Sequence, residues 1–371
     1  MMKNTHFQKR ITALRGKLPE LLPDTLWILQ PENRRYLSGF KAEDGQLTES
    51  SGSLLINESE ALLLTDSRYT TEAQKEAVDV EVITLKDGIV DGLPNLLARL
   101  GTRTLGFEED YLVWDLHRRL AKALKKGSPP VRLTPLKGIV STMRMVKDRS
   151  EIRKMAASAG LMSEILDEVI GSLEPGRTEI EIAWQIERRA REAGADGLAF
   201  PSIVASGPNS ALPHAVPTVR KIRPKEPVTL DVGLRLDGYC CDMTRTVFLD
   251  TPGPLFKEIY RVVREAQQGA LPAVRSGTKS TVPDRTARKI IKDAGYGEYF
   301  GHSLGHGVGL ATHEAPRLGP RRPVSLENGM VVTVEPGIYI PGKGGVRLEE
   351  MVVIEKKGPR ILTTADHFYD F

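Results

Sequence analysis

The chain has 371 residues, of which 40% are hydrophobic, and its 52 basic and 48 acidic side chains leave a formal net charge of +4. This length fits two globular domains better than one. The charges are spread along the whole chain, without the clustering that a nucleic-acid-binding surface needs, and no apolar run approaches the roughly 18 residues of a membrane-spanning helix. We therefore expect neither a nucleic-acid nor a membrane partner.

The two cysteines of the chain, Cys240 and Cys241, are adjacent. Neighbouring cysteines are poorly placed to link distant parts of a chain, so the sequence excludes a disulfide framework. The first 15 residues are polar and basic and lack the apolar run of a signal peptide. Both observations favour a protein of the reducing cytoplasm.

The first third of the chain alternates short apolar runs with segments of helical spacing. The apolar runs predict strands over residues 26–29, 53–56, 61–64, 78–84 and 131–136. The helical spacing predicts helices over residues 70–77, 91–100 and 114–126. Strands that alternate with helices indicate a small α/β domain. None of its residues forms the grouping expected of a reaction centre.

A domain boundary is predicted near residues 138–149. We therefore assign residues 1–140 to an amino-terminal α/β domain and residues 141–371 to a carboxyl-terminal domain. A long helix with apolar residues three and four apart is expected after Asp148 and should end near Ser172.

The rest of the carboxyl-terminal domain is predicted to mix helices and strands. Thr178 and Glu181 form a capping box at the start of a second helix, which should end near Gly194. Farther along, strand-like runs alternate with glycine turns, and two helices near residues 255–273 and 280–294 separate them. This pattern predicts an α+β fold.

Two aspartates lie on the arms of a predicted β-hairpin over residues 228–242. If the turn centres on residues 236–237, Asp231 and Asp242 face each other directly; if it centres on residues 237–238, they are diagonal neighbours. In either register they share one face of the hairpin, and directly opposed residues have Cβ atoms about 5 Å apart. Like charges this close repel, so one carboxylate must take up a proton unless a cation lies between them.

Glu335 and Glu349 form a second pair, because they are equidistant from Gly342 in a glycine-rich turn. A hairpin there would again oppose two carboxylates, although the Pro336-Gly337 kink leaves its register open. Two divalent cations would balance the four negative charges of both pairs. Metal ions about 3.5–4 Å apart, bridged by carboxylates and a water, are a usual arrangement for hydrolysis.

Three of the seven histidines, His302, His306 and His313, lie within twelve residues. Four glycines among residues 301–309 exclude a stable helix, because each costs about 1 kcal/mol relative to alanine; the pair His302/His306 is therefore not a helical zinc motif. Glycine here favours close approach of the backbone to a ligand, and His214 lies in another loop-like stretch. The carboxylate pairs and these histidines together predict a functional site.

Several motifs resemble those of the pita-bread metallopeptidases, specifically the aminopeptidase P and prolidase branch, whose members hydrolyse the bond before proline. The matching segments are residues 210–214, 230–233, 242–246, 305–310, 313–314, 334–339 and 346–349. The amino-terminal third resembles the family's creatinase-like amino domain in size and element order. The resemblance implies an α+β chain in which a small α/β creatinase-like domain precedes a pita-bread catalytic domain.

The resemblance also implies a dinuclear metal centre. Asp231 and Asp242 would hold one ion, with Asp242 bridging, whereas His306 and Glu335 would hold the other and Glu349 would bridge. A hydroxide that bridges the two ions would hydrolyse the peptide bond. Oxygen and nitrogen ligands without sulfur favour a hard or borderline ion, so manganese is the first choice, with cobalt, iron or zinc as substitutes.

Roles for the surrounding residues follow from the same resemblance. His214 and His313 would bind the substrate and stabilise the tetrahedral intermediate, and His302 would line the pocket as a supporting or proton-transfer group. Glu335 would also move protons. Arg347 would lie beside the metal carboxylates at the substrate side and hold one of them in orientation.

Arg317 stands where prolidases resemble one another in having an arginine. Its guanidinium suits the terminal carboxylate of a peptide, and this would favour dipeptides as substrates. The same resemblance implies a homodimer.

The expected protein is therefore an Xaa-Pro dipeptidase or an Xaa-Pro aminopeptidase that acts on proline-containing peptides. A methionine aminopeptidase-like enzyme is an alternative that the large amino-terminal domain disfavours. A creatinase-like hydrolase, which lacks the metal carboxylates, and a non-catalytic binding protein on the same fold are further alternatives. The intact set of five ligands disfavours both.

Overall fold

The computed structural model describes residues 5–127 and 129–371. The chain forms two compact units, of which the first ends at Met143 and the second begins at Arg144. Among the helices of the described ranges, none combines the length and apolar character that crossing a membrane requires.

The first unit contains a single mixed sheet and surrounding helices. Its helices are α1 (His6–Arg15), α2 (Leu18–Leu21), α3 (Pro31–Ser38), α4 (Thr70–Glu76), α5 (Gly88–Arg99) and α6 (Trp114–Lys126), and α7 (Ile139–Met145) crosses the boundary. Its strands are β1 (Thr25–Ile28), β2 (Ser53–Ile56), β3 (Ala61–Thr65), β4 (Glu81–Thr84), β5 (Thr104–Glu108) and β6 (Arg132–Leu136). They lie in the order β4-β3-β2-β1-β5-β6, which confirms the predicted α/β domain.

Apolar side chains of the sheet and of α5 and α6 form the core of this unit. Trp27 and Leu55 from the sheet pack with Leu97 and Leu124 from the helices, and all four are almost fully buried. Burial of side chains of this size contributes about 1.5–3 kcal/mol each, so the core holds the helices on the sheet.

One predicted strand is shorter in the structure than in the sequence pattern. The alternation from Val78 to Thr84 predicts a strand over the whole segment, but β4 begins at Glu81. Asp79 has a φ of 61°, which is the left-handed conformation of a turn and ends extended backbone. The sequence analysis does not predict the helices α1, α2, α3 and α7 or the strand β5, in which a glycine interrupts the apolar run.

The second unit combines long helices with several small sheets. Its helices are α8 (Arg149–Gly171), α9 (Glu179–Glu192), α10 (Pro254–Ala270) and α11 (Thr281–Asp293), and short 3-10 helices cover Gly207–Ala211, Leu271–Ala273 and Gly297–Tyr299. Its strands are β7 (Gly197–Leu198), β8 (Ile203–Ser206), β9 (Val228–Val232), β10 (Leu234–Leu236), β11 (Tyr239–Cys240), β12 (Met243–Val247), β13 (Gly305–Gly307), β14 (Glu314–Leu318), β15 (Val331–Val334), β16 (Gly337–Ile340), β17 (Gly344–Arg347), β18 (Glu350–Ile354) and β19 (Pro359–Ile361).

The strands of the second unit form antiparallel groups, in the orders β12-β9-β8, β11-β10-β7, β14-β13-β15-β18-β19 and β16-β17. The helices α10 and α11 cover a core that includes Val263, Ile291, Val332, Val346 and Val352. The α+β class that the sequence predicts for this part of the chain is confirmed.

The predicted helix starts are also confirmed. Asp148 accepts hydrogen bonds from the backbone N–H groups of Ser150 and Glu151 and begins α8. Thr178 and Glu181 form the capping box of α9. These caps satisfy backbone donors that a helix start otherwise leaves unpaired.

Candidate metal centre and substrate pocket

The first aspartate pair lies on a hairpin whose turn is Asp237-Gly238. Both residues have positive φ, 51° and 81°, as a two-residue type I′ turn requires. Leu236 pairs with Tyr239, and the same register continues to the pair of Asp231 with Thr244. Asp242 therefore lies diagonally across from Asp231, and the diagonal register is the correct one of the two predicted.

The glutamate pair lies between two short ladders that share one register. Val334 pairs with Glu350 on one side, and Gly337 pairs with Arg347 on the other, so Glu335 and Glu349 are directly opposed across the kink. The backbone N–H of Leu348 donates to the carbonyl oxygen of Pro336 at 3.4 Å, which carries the register through it. The opposed arrangement that the sequence left open is thus the observed one.

Thr244 connects the two hairpins. Its hydroxyl donates to Glu349 Oε2 at 2.7 Å, and its carbonyl oxygen accepts a hydrogen bond from the Glu349 N–H at 3.1 Å. The next residue, Arg245, is fully buried and its guanidinium donates to the carbonyl oxygen of Glu349. Strand β12 therefore fixes both the main chain and the side chain of Glu349.

His306 lies on β13 between two glycines that the close packing requires. A Cβ at Gly305 would collide with the carbonyl oxygen of Thr333, and a Cβ at Gly307 would collide with that of Ala315. The neighbouring strands can therefore approach the His306 backbone closely. The predicted exclusion of a helical zinc motif is confirmed, because this histidine lies on a strand.

The ligand-type atoms of these residues converge. His306 Nε2 lies 3.6 Å from Asp242 Oδ2 and 3.4 Å from Glu335 Oε1. Asp242, His306 and Glu349 offer atoms that all lie within 4.8 Å of one another. Asp231 Oδ1 and Glu349 Oε1 are buried and have no hydrogen-bond partner among the described residues. Orphaned carboxylate oxygens at a convergence of carboxylates and one imidazole fit divalent cations.

The electrostatics of the cluster favour a cation as well. Burial raises the pKa of Asp242 and of Glu349 well above the usual carboxyl range, and neighbouring carboxylates add to this effect. Burial also raises the pKa of Glu335 to about 8, against the opposing charge of Arg347. Without a cation, these carboxylates hold protons in order to limit their mutual repulsion.

His306 is prepared to act as a neutral nitrogen ligand. Burial lowers its pKa to about 4, and His313 adds to the effect. Its Nδ1 lies 3.1 Å from the carbonyl oxygen of Gly307, which can only accept, so Nδ1 carries the proton. The lone pair of Nε2 then faces the carboxylates, in the tautomer that metal-binding histidines adopt.

Arg347 joins the cluster to a buried hydrogen-bond chain. Its guanidinium donates to Asp231 Oδ2 at 2.6 Å, to Thr244 Oγ1 at 3.2 Å and to the Tyr339 hydroxyl at 2.9 Å. Burial raises the pKa of Tyr339 to about 12, so this hydroxyl keeps its proton. It donates to Nε2 of His302 at 2.9 Å.

His302 is engaged at both ring nitrogens, since its Nδ1 lies 2.8 Å from the carbonyl oxygen of Ser303. Burial lowers the pKa of His302 to about 4. A neutral imidazole with both nitrogens occupied supports the Tyr339 hydroxyl and, through it, Arg347.

A cavity of about 660 Å³ opens above the cluster. All ten residues singled out in the sequence line it, namely His214, Asp231, Asp242, His302, His306, His313, Arg317, Glu335, Arg347 and Glu349. The ring of His313 has its centroid 4.2 Å from that of His306. The side chains of His214 and Arg317 are exposed at the cavity, and Arg317 Nε donates to Ser303 Oγ at 2.8 Å.

The sequence motifs assign no role to Thr244, Thr333 and Tyr339, although all three contact residues of the cluster. Thr244 and Tyr339 contact Glu349 and Arg347 as described, and Thr333 donates its hydroxyl to Glu335 Oε1 at 3.1 Å. All three lie in strands where threonine and tyrosine are ordinary residues. The signal in the sequence is that Thr244 lies two residues from Asp242 and Thr333 two residues from Glu335, so that each threonine shares a strand face with a carboxylate.

Two family models match the chain. The model described as "Metallopeptidase family M24" matches residues 153–356, and the model described as "Creatinase/Prolidase N-terminal domain" matches residues 10–146. The chain is 34% identical to the Xaa-Pro dipeptidase of Pyrococcus furiosus, over 97% of this chain and 99% of that protein.

Solved structures resemble the chain over almost all of its length. An Xaa-Pro dipeptidase from Bacillus anthracis superposes with a TM-score of 0.90 at 36% identity and covers 96% of this chain and 98% of its own. An X-Pro aminopeptidase from Thermotoga maritima superposes with a TM-score of 0.83 at 37% identity. This match covers 94% of the present chain and 97% of the aminopeptidase chain.

The Thr244–Glu349 hydrogen bond gives a testable prediction. Thr244→Val removes the hydroxyl at nearly constant shape and leaves Glu349 Oε2 without its donor. We expect Mn²⁺ affinity, measured by titration calorimetry, to fall by about tenfold to a hundredfold, as is usual when a partner of a metal ligand is lost. Thr229→Val is the control, because Thr229 is also buried on the same hairpin and its hydroxyl pairs with that of Thr246. Equal affinities of both variants would contradict the assigned role of Thr244.

Proposed function

The chain belongs to metallopeptidase family M24 and is a metallopeptidase with a creatinase/prolidase-type amino-terminal domain, and we propose that it hydrolyses the peptide bond before proline with two divalent metal ions. The relatives described above are named as an Xaa-Pro dipeptidase and an X-Pro aminopeptidase. Both names support proline-containing peptides as substrates of this chain.

One observation carries this function: four carboxylates and one neutral imidazole meet at the floor of a cavity, and two of the carboxylate oxygens lack any partner among the described residues. A protein without a metal has no use for this arrangement, because repulsion and burial both destabilise it. A peptide that enters the cavity reaches the cluster directly.

The five side chains divide naturally between two ions. Asp231 and Asp242 would hold one ion, His306 and Glu335 would hold the other, and Asp242 and Glu349 would serve both. When bound, such a pair lowers the pKa of a water and polarises the scissile carbonyl group. The oxygen and nitrogen donors suit manganese first, and cobalt, iron or zinc as substitutes.

The chain's own residues bind and orient the substrate. His313, beside His306, and His214 both line the cavity. Each can donate a hydrogen bond to a carbonyl oxygen and so stabilise the charge that develops there. Glu335, whose Oε1 lies 3.4 Å from His306 Nε2 at the cavity, would also accept and return a proton. Arg347 holds Asp231 in place at 2.6 Å.

The cavity wall supports a proline substrate. Phe200, Ile203, Val216 and Pro217 line it with apolar surface, which suits a pyrrolidine ring. The bond before proline has no N–H group, so the site needs no acceptor for one.

Arg317 supports dipeptides as the preferred substrates. It is directly opposite His306 in the β13–β14 ladder, at the exposed side of the cavity. A guanidinium there can bind the terminal carboxylate of an Xaa-Pro dipeptide as a charge-assisted pair.

We also propose, from the family resemblance, a homodimer in a reducing cytoplasm. The two free, buried cysteines agree with such a compartment. Sedimentation velocity at assay concentration tests the dimer, and a single monomeric species would refute it.

The proposed reaction is tested by an assay of Ala-Pro with added Mn²⁺. We expect turnover by the wild type and a loss of more than about a hundredfold in Asp242→Asn, because removal of a ligand costs more than removal of a ligand's partner. Asp250→Asn is the control, since Asp250 is exposed. Circular dichroism of both variants should match the wild type. Undiminished turnover by Asp242→Asn, or no turnover by the manganese-loaded wild type, would overturn the proposal.

The preference for dipeptides is tested with Arg317→Met, which keeps length and removes charge. We expect KM for Ala-Pro to rise about tenfold to a hundredfold, because a hydrogen bond to a charged group contributes about 1.5–3 kcal/mol. KM for Ala-Pro-amide, whose terminus is neutral, should stay unchanged. Arg321→Met, at another exposed arginine, should behave as the wild type. Equal effects on both substrates would mean that Arg317 does not bind the terminal carboxylate.

A further inference from the structure

Glu179 is a buried carboxylate outside the cluster of candidate metal ligands. It is the first residue of α9, and its exposed fraction is 0%. It does not line the cavity. A carboxylate is costly to bury unless it is fully hydrogen-bonded, so the partners of Glu179 indicate what its charge is used for.

The partners of Glu179 come from both ends of one loop, residues 206–218, which we call the histidine loop. At its start, the N–H and the hydroxyl of Ser206 both donate to Oε1 at 2.7 Å, and Asn209 Nδ2 donates to Oε2 at 3.0 Å. At its end, the N–H and the hydroxyl of Thr218 donate to Oε2 at 3.0 and 2.6 Å. One carboxylate therefore closes the base of the loop.

Capping of α9 does not explain why the Glu179 carboxylate is buried. The capping box of this helix is formed by Thr178 and Glu181, and the hydrogen bonds that the Glu179 carboxylate accepts among the described residues come from the histidine loop. The next residue of α9 adds to the same connection, because the N–H of Ile180 donates to the carbonyl oxygen of Thr218 at 3.1 Å.

The histidine loop carries part of the cavity wall. Pro213, His214 and Val216 lie near its tip and line the cavity. Two further contacts hold the loop from strand β17. Arg347 donates to the carbonyl oxygen of Pro213 at 3.2 Å, and the N–H of Gly345 donates to Ser210 Oγ at 2.8 Å. These contacts hold the tip and the middle, whereas Glu179 holds the two ends.

We propose that Glu179 is a positioning residue for the peptidase reaction, which holds His214 at the cavity by fixing both ends of the histidine loop. This inference rests on the proposed function, in which His214 binds the substrate. The charge matters because all the donors face a group that only accepts. Glutamine at this position would turn one accepting oxygen into an N–H donor and leave the donors of Ser206 or of Thr218 without an acceptor.

The first test is kinetic and uses Glu179→Gln, His214→Ala and the double variant with Ala-Pro. We expect Glu179→Gln to lower kcat/KM by about tenfold to a hundredfold, as small displacements of a positioning group do, and to leave Mn²⁺ affinity unchanged. In the His214→Ala background the same substitution should have less than about a twofold effect, because residues that act through one another are not additive.

Glu181→Gln is the matched control, since it makes the same change two residues away and glutamine also completes a capping box; it should retain wild-type activity. Thr218→Val is a milder second variant that removes one donor and keeps the carboxylate, and we expect a loss of about threefold. Full activity of Glu179→Gln, or an equal loss with and without His214, would overturn the inference. If Glu179→Gln folds poorly, Thr218→Val replaces it in the test, with His214 intact and in the His214→Ala background.

Amide hydrogen exchange separates this inference from the proposed function. In Glu179→Gln, the backbone N–H groups of the non-proline residues of the histidine loop should exchange at least about tenfold faster, whereas those of β9 should keep their wild-type rates. Unchanged exchange in the loop would refute the positioning role whatever the enzyme's substrate. A wild type that does not cleave Ala-Pro would instead refute the proposed function. The exchange rates would then still show whether Glu179 fixes the histidine loop.

Discussion

Repulsion among four little-exposed carboxylates is the constraint on which the second unit depends. Asp242 and Glu349 are 5% and 1% exposed, and burial together with their neighbours raises both pKa values. Such a group is stable only if protons or cations neutralise it. The family to which the chain belongs uses divalent metals, and the donors present here fit them. The fold therefore maintains an arrangement that is unfavourable alone and favourable with its metal.

Hydrogen-bond donors and glycines keep this arrangement in place. Thr244 fixes Glu349, Thr333 fixes Glu335, and Arg347 fixes Asp231, so three of the four carboxylates have a dedicated donor. The glycines on both sides of His306 let the neighbouring strands approach it. Arg347 also donates to Tyr339 and to the histidine loop, so the carboxylate cluster and this part of the cavity wall share one buried guanidinium.

The sequence predicted the carboxylate pairs because strand register is local: two residues equidistant from a turn must meet. Asp231 and Asp242 are diagonal because the turn lies at Asp237 and Gly238, which both have positive φ. The sequence allowed this turn as one of two. Contacts between distant segments were not predictable in this way. Glu179 and Thr218 are far apart in sequence and share no periodic pattern. The strand predicted from Val78 begins only at Glu81, because Asp79 adopts a left-handed turn conformation that the alternation of valines does not reveal.

The central claim, that the converging carboxylates bind two metal ions, is tested most directly by anomalous diffraction from crystals of the manganese-loaded protein, recorded on both sides of the manganese absorption edge. The account predicts two anomalous peaks in each chain, one beside Asp231 and Asp242 and the other beside His306 and Glu335. A single peak, no peak, or peaks away from these residues would contradict it.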